Sequence, residues 1–166
     1  MASETRVGFG YDVHAFAPAG ADRRLMLGGV EIAHERGLAG HSDADTLLHA
    51  LVDALLGAAA LGDIGAHFPS SDERWRGAAS SAFVTYAVDM LARANWRVVN
   101  VDATVVAERP RLSPYIATIR ASLAELLGIE IERVSVKSKT TDRLGFAGRE
   151  EGIACYAVAL IERAGA

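Results

Sequence analysis

The sequence predicts one α+β domain whose helices cover a single face of a sheet. Three observations carry that reading. Strand-like and helix-like segments interleave along the chain without an internal repeat. The 166 residues, 51% hydrophobic and 23% charged, are enough for one folded core and too few for two comfortable ones. The last segment, 152–162, is an almost wholly apolar β-like run. Such a strand needs cover on both faces. Helices supply one cover, and subunit packing is a natural source of the other.

The elements follow in order. Residues 6–16 alternate Val7, Phe9 and Tyr11 with Gly8 and Gly10, which reads as a strand running into a loop. Pro18-Ala19-Gly20-Ala21-Asp22 is a turn cluster, and 25–32 reads as a strand broken at Gly28-Gly29. The clearest helix spans 43–61, rich in Ala and Leu and stopped by Gly62. Ser42 is its expected cap, with Asp45 reaching back in a capping box. Residues 62–77 read as a loop, 78–94 as a second helix and 97–107 as a long strand. Ser113-Pro114 opens a third helix, with Ser as cap and Pro at the first helical position, ending near Gly128. Residues 134–139 read as a strand, 140–151 as a loop and 152–162 as the final strand. The expected domain runs from 6 to 163, after a flexible tail at 1–5.

Composition narrows the function. The net charge is −4, with no basic surplus to hold a phosphate backbone, so nucleic acid is not an expected partner. No uncharged apolar run reaches the roughly 18 residues of a membrane span, since His49 and Asp53 interrupt the best candidate. The N-terminal residues show neither the basic nor the apolar region of a signal peptide. The single cysteine, Cys155, excludes an internal disulfide, fits a reducing cytosol and reads as plain core; a cytoplasmic protein is expected.

The chemistry concentrates in Asp12-Val13-His14, His41-Ser42-Asp43-Ala44-Asp45 and His49. On a strand, Asp12 and His14 point to the same side. His49 lies on the first helix with Asp53 one turn further along, placed to orient the imidazole. Three N and O ligands suit Zn²⁺ and leave a fourth position open. A satisfied core histidine is the alternative. His41 stands outside the helix start, where partial positive charge favours an anion. Gly62-Asp63-Ile64-Gly65 is either a helix stop or a place where backbone meets a ligand, with a carboxylate for sugar hydroxyls. Two of the 17 basic residues are lysines, both in Lys137-Ser138-Lys139-Thr140-Thr141-Asp142. Hydroxyls, cations and a carboxylate at a strand end suit phosphates with a hard cation such as Mg²⁺; a solvated strand end is the alternative. Gly8-Phe9-Gly10 lacks the dinucleotide fingerprint, and neither a P-loop nor a nucleophile elbow is present.

These motifs resemble the 2-C-methyl-D-erythritol 2,4-cyclodiphosphate synthase family. The matching stretches are RVGFGYDVHAF, LGGVEI, GLAGHSDADTLLHALVDALLGAAALGDIGAHFP and KSKTTDRLGFAGREEGIACYAVAL, in family order over nearly the whole chain. The resemblance implies a ferredoxin-like α+β subunit with a mixed sheet, in a homotrimer whose sheets pack about the threefold axis and whose active sites lie at subunit interfaces. It implies a CDP-linked substrate whose 2-phosphate attacks its β-phosphorus, giving a cyclodiphosphate and CMP in the non-mevalonate isoprenoid pathway. Asp12, His14 and His49 would hold one zinc per site, and Mg²⁺ or Mn²⁺ would bridge the substrate phosphates with Asp142 as its ligand. His41 and Thr140 would stabilise the transition state. Asp63 and Gly65 would hold the ribose, and residues 107–113, including Ala107, Pro110, Arg111, Leu112 and Ser113, would line the cytosine pocket. Val13, Ser42, Ile64, Phe68, Ser70, Asp72, Lys139 and Thr141 complete the implied substrate contacts.

Phe146 and Arg149 would face a central cavity that takes an isoprenoid diphosphate. The chain departs from the family pattern at Asp142, where Glu is usual, at Ser70, where Asp is usual, at Arg111, where another basic residue is usual, and at Tyr156, where an acid is usual. Two other readings are a zinc phosphohydrolase, whose open metal position activates water, and a non-catalytic paralogue that binds metal and isoprenoid diphosphate.

Overall fold

A computed structural model describes residues 4–165. Its centre is a four-stranded sheet of β1 (Thr5–Ala15), β4 (Trp96–Val106), β5 (Val134–Lys139) and β6 (Gly152–Arg163), in the order β1-β6-β4-β5. The β1–β6 and β6–β4 pairs are antiparallel and β4–β5 is parallel, which makes the sheet mixed. A parallel pair needs a crossover, and α4 (Ile116–Leu127) supplies it. β2 (Leu25–Leu27) and β3 (Val30–Ile32) form a separate hairpin about Gly28-Gly29.

α1 (Thr46–Ala58) is the central helix, and apart from Asp53 and Gly57 all of its residues are buried. It lies directly on β1, because Gly8 and Gly10 present no side chain there. A Cβ on Gly8 would overlap the carbonyl oxygen of Ala54, and one on Gly10 that of Ala50. α3 (Ser81–Arg93) and α4 complete the layer, which buries Leu47, Leu51, Leu55, Leu91, Ile119 and Leu123 against Val101, Val105, Cys155 and Ile161. All three long helices pack on one face, as predicted. The opposite face leaves Val7, Phe9, Tyr11, Val13, Tyr156 and Val158 exposed, with Phe9 at 62%. The Tyr11 and Tyr156 rings meet there at 5.1 Å.

Local structure corrects several expectations. Thr5 already belongs to β1, and residues 1–3 of the predicted tail lie outside the described residues. The first helix starts at Thr46 rather than 43, because Ala44 adopts a left-handed conformation with φ 58°. Its cap is Asp45, not Ser42: the Asp45 carboxylate accepts the Leu48 N–H at 3.0 Å. The same carboxylate accepts the N–H groups of Gly28 and Gly29, which ties the hairpin to the helix. Ser113 does not cap α4 either. It opens a 3₁₀ turn (Ser113–Tyr115), and its hydroxyl accepts from Arg111 Nε at 2.9 Å. The two predicted loops contain short helices, α2 (Ile64–His67) and α5 (Gly145–Gly148). α4 ends where expected, with Gly128 in the left-handed position.

Candidate active site

The even-numbered residues of β1 from Gly8 to His14 face α1. Gly8 and Gly10 meet the helix backbone, and further along the strand Asp12 and His14 meet its first turn, where His49 projects. The glycines therefore do more than pack: they bring the helix close enough for a strand and a helix to share one centre. Asp12 Oδ2 lies 3.0 Å from His14 Nε2 and 3.1 Å from His49 Nδ1, and the two nitrogens are 3.2 Å apart. The three residues form a group able to hold a metal ion.

The outer contacts of the two rings decide where the protons sit. His14 Nδ1 is 2.7 Å from the carbonyl oxygen of Ala39, an acceptor only, so Nδ1 carries the proton and donates. His49 Nε2 lies 2.8 Å from Ser80 Oγ and 3.2 Å from Ser42 Oγ. The Ser80 hydroxyl donates to the Asp43 carboxylate, which can only accept, so it is free to accept from His49 Nε2–H. Each imidazole then turns a bare lone pair inward beside the Asp12 oxygen. Three converging acceptors with no donor among them call for a cation. The edge of a tetrahedron with bonds of about 2.0–2.1 Å is about 3.3–3.4 Å, close to the spacing found, so the donors fit an ion of the Zn²⁺ type.

Without an ion a proton takes that place. Burial alone would raise the Asp12 carboxyl, but the hydrogen bonds from His14 and His49 outweigh it and lower it to about 2. Burial alone would lower His14, and the Asp12 carboxylate outweighs it and raises the imidazole above its ordinary value.

A cavity of about 230 Å³ opens beside these three residues, lined by His14, His41, Ser42, His49, Ile64, Gly65, Phe68 and Ser70. Trp75 and Phe83 also line it, and neither was singled out from sequence; stacking of Phe68 on Phe83 at 4.4 Å is what brings them there. His41 Nε2 donates to the carbonyl oxygen of Asp72 at 3.0 Å, which fixes the ring at the cavity wall. The Asp72 carboxylate itself pairs with Arg74. Asp63 caps α2, its Oδ1 accepting from Ala66 N–H at 2.8 Å.

A second cleft, of about 750 Å³, lies at the other edge of the sheet. Ala107, Arg109, Pro110, Arg111, Leu112, Ser113, Lys139 and Thr140 line it, joined by Arg143 and Glu150, which sequence reasoning passed over. Its cations come from two separate loops, so no single motif advertises them. The register shows how far apart the two clefts are. Asp12 pairs with Cys155, Cys155 with Val105, and Val105 with Ser138, one row across four strands. Three strand spacings amount to about 14 Å.

A model of the YgbB family matches residues 5–162. The chain belongs to the YgbB family. Among its relatives, the 2-C-methyl-D-erythritol 2,4-cyclodiphosphate synthase of Syntrophomonas wolfei is 58% identical over 159 residues, covering 96% of this chain and 99% of that protein. The enzyme of the same name from Pseudomonas aeruginosa strain UCBPP-PA14 is 57% identical over 156 residues, covering 94% and 98%. Among solved structures, a CDP complex of IspF from Plasmodium falciparum has a TM-score of 0.85 at 33% identity, covering 99% of this chain and all of that one (100%). The bifunctional IspDF from Campylobacter jejuni has a TM-score of 0.92 at 37% identity, and this chain spans 43% of it.

The remaining sequence-predicted residues of this YgbB-family chain lie elsewhere. Val13 points to the exposed sheet face, because neighbours on a strand alternate sides. Thr141 Oγ1 donates to the carbonyl oxygen of Leu144 at 2.6 Å, and Asp142 is exposed in a left-handed turn with φ 51°. Phe146 is exposed and Arg149 pairs with Glu151. Asp53 does not orient His49: its Oδ1 accepts from Ile64 N–H at 2.8 Å, since it sits one turn beyond the ring and beside α2. Ser80 occupies that place, and Asp43 lies behind it. A serine 31 residues from the histidine in sequence gives no local signal.

Proposed function

We propose that this chain converts 4-diphosphocytidyl-2-C-methyl-D-erythritol 2-phosphate to 2-C-methyl-D-erythritol 2,4-cyclodiphosphate and CMP, a lyase step of the non-mevalonate isoprenoid pathway. The observation that carries the reading is the Asp12–His14–His49 donor triangle beside the His41 cavity, in a chain 58% identical to a synthase of that name over 99% of its length. An oxygen of the 2-phosphate forms a bond to the β-phosphorus, and the bond from that phosphorus to the bridging oxygen breaks. CMP leaves with the bridging oxygen, and no water is consumed.

The substrate carries both reacting groups, so the protein's work is to fold an anionic molecule on itself and hold it. Asp12, His14 and His49 would hold Zn²⁺, which would supply positive charge to polarise a phosphate and offset repulsion. His41, its ring anchored on the Asp72 carbonyl, positions phosphate at the cavity wall. Asp63 and Gly65 take the ribose, residues 107–113 take the cytosine, and Lys139 and Thr140 hold the diphosphate. Asp142 would offer its carboxylate to Mg²⁺ or Mn²⁺, which would offset the charge of the phosphates.

The assembly proposed is a homotrimer. About 14 Å separates the two clefts within one sheet, and an exposed apolar face lies between their edges. Packing three such faces together covers Phe9, Tyr11 and Tyr156 and sets one subunit's metal edge against the next subunit's 107–113 edge. Phe146 and Arg149 then face a central space for an isoprenoid diphosphate. Among the described residues no helix is long and apolar enough to cross a membrane, and a cytoplasmic location is proposed.

Incubation of the zinc-loaded protein with the CDP-linked substrate tests the function. CMP and a cyclic diphosphate in equal amounts support it. Linear phosphates would mark a hydrolase, and metal binding without CMP release would mark a non-catalytic binder.

A further inference from the structure

We infer that Ser80 and Asp43 form a relay that positions His49 for the metal and sets how tightly the site holds it; this rests on reading Asp12, His14 and His49 as metal ligands. His49 Nε2 is 2.8 Å from Ser80 Oγ, and the Ser80 hydroxyl is hydrogen-bonded to the Asp43 carboxylate. Ser80 is fully buried, and the carboxylate is held by two further donors, Ser80 N–H at 3.0 Å and Asp45 N–H at 3.2 Å.

The position of Ser80 argues against a merely structural role. It stands at the N-cap of α3, where a serine hydroxyl ordinarily accepts from the helix's first N–H groups. Here it makes no cap bond. The hydroxyl turns to His49 and Asp43 instead, so the helix forgoes a cap that its sequence supplies. A carboxylate behind a serine behind an imidazole makes the serine a better acceptor, keeps the proton on Nε2 and leaves the Nδ1 lone pair aimed at the metal. Ser42 Oγ, 3.2 Å from Nε2, already accepts from Ala44 N–H and is the weaker partner. Ser80 and Asp43 are positioning residues; neither reaches the ion or the substrate.

Zn²⁺ affinity is the test, measured on the full chain by competition with a chromogenic chelator at fixed pH, with thermal melting of the metal-free forms alongside. Ser80→Ala is expected to weaken Zn²⁺ binding about 10–100-fold, and Asp43→Asn to weaken it in the same direction. The double variant should cost no more than Ser80→Ala alone, because the two act in one chain. In the zinc-loaded wild type, long-range ¹H–¹⁵N spectra should show His49 protonated at Nε2, with faster proton exchange in Ser80→Ala.

Unchanged affinity in Ser80→Ala, with or without a lower melting temperature, would reduce Ser80 to packing and overturn the relay. Additive losses in the double variant would overturn it too. Should Ser80→Ala fail to fold, Asp43→Asn decides, and unchanged affinity there ends the proposal. Wild-type protein that binds no Zn²⁺ would instead remove the metal reading itself.

Discussion

His14 Nε2 and His49 Nδ1 stand 3.2 Å apart, one on a strand and one on a helix, against a single oxygen of Asp12. Two imidazole nitrogens this close, each with its other nitrogen engaged outward, are arranged around a charge that they share. Asp12→Asn or His49→Ala should therefore lose the metal. Elemental analysis after gel filtration should fall from about one Zn²⁺ per chain to background, as expected when one of three protein ligands is removed. Full retention by both variants would refute the site.

His41 lines the same cavity but points its Nε2 at the Asp72 carbonyl rather than at the ligand group. His41→Ala should slow turnover by about 10²-fold, the scale of losing one positioned polar group, with zinc content unchanged. Loss of zinc together with activity would make His41 a ligand after all.

Gly10 lies under Ala50 with no room for a side chain. Gly10→Ala should destabilise the fold by about 1–3 kcal/mol through overpacking, read as a lower urea midpoint. It should also weaken metal binding, because pushing α1 off β1 moves His49 away from Asp12. A change in stability alone would show that the strand yields and the helix does not.

The Asp12–His14 pair makes the metal-free protein sensitive to pH. Asp12 is lowered from its ordinary 3.8 to about 2, so its contribution is present above 3.8 and lost as pH falls towards 2. His14 is raised above its ordinary 6.5, so its contribution is present below 6.5 and lost as pH rises through the raised value. Both act between about 3.8 and 6.5. Urea unfolding of stripped protein should show Asp12→Asn costing more at pH 5 than at pH 8. Zinc binding should follow the opposite trend and weaken as His14 takes up a proton.

Cys155 is buried against α1, and burial first, then the nearby Asp45 and Asp12, push its thiol well above the ordinary value. It should ignore a thiol reagent in native buffer and react stoichiometrically in denaturant. Rapid native labelling would mean that β6 opens.

Much of the fold was legible because the signals are local. The glycine alternation of β1 and the left-handed stop at Gly128 depend on neighbours in sequence and lie where expected; the alanine- and leucine-rich helix forms too, but over Thr46–Ala58 rather than 43–61, ending before Gly62. The helix caps were misread because a cap belongs to whichever side chain is free. Ser42 is occupied by His49 and Ala44, so Asp45, which also serves the hairpin turn, took the helix.

The sequence by itself determined the residue types of the candidate metal centre: one carboxylate and one imidazole two apart on a strand, and a second imidazole on an apolar helix. Strand periodicity alone puts the first two on one side. Only the tertiary structure decided which atoms converge, that Ser80 and not Asp53 backs His49, and that the 107–113 and 138–140 segments lie across the sheet from the Asp12–His14–His49 group. Those outcomes depend on distances between segments far apart in the chain, set by helix-on-strand contact at Gly8 and Gly10 and by strand order. Sequence spacing carries periodicity within an element; it does not carry the packing that places one element on another.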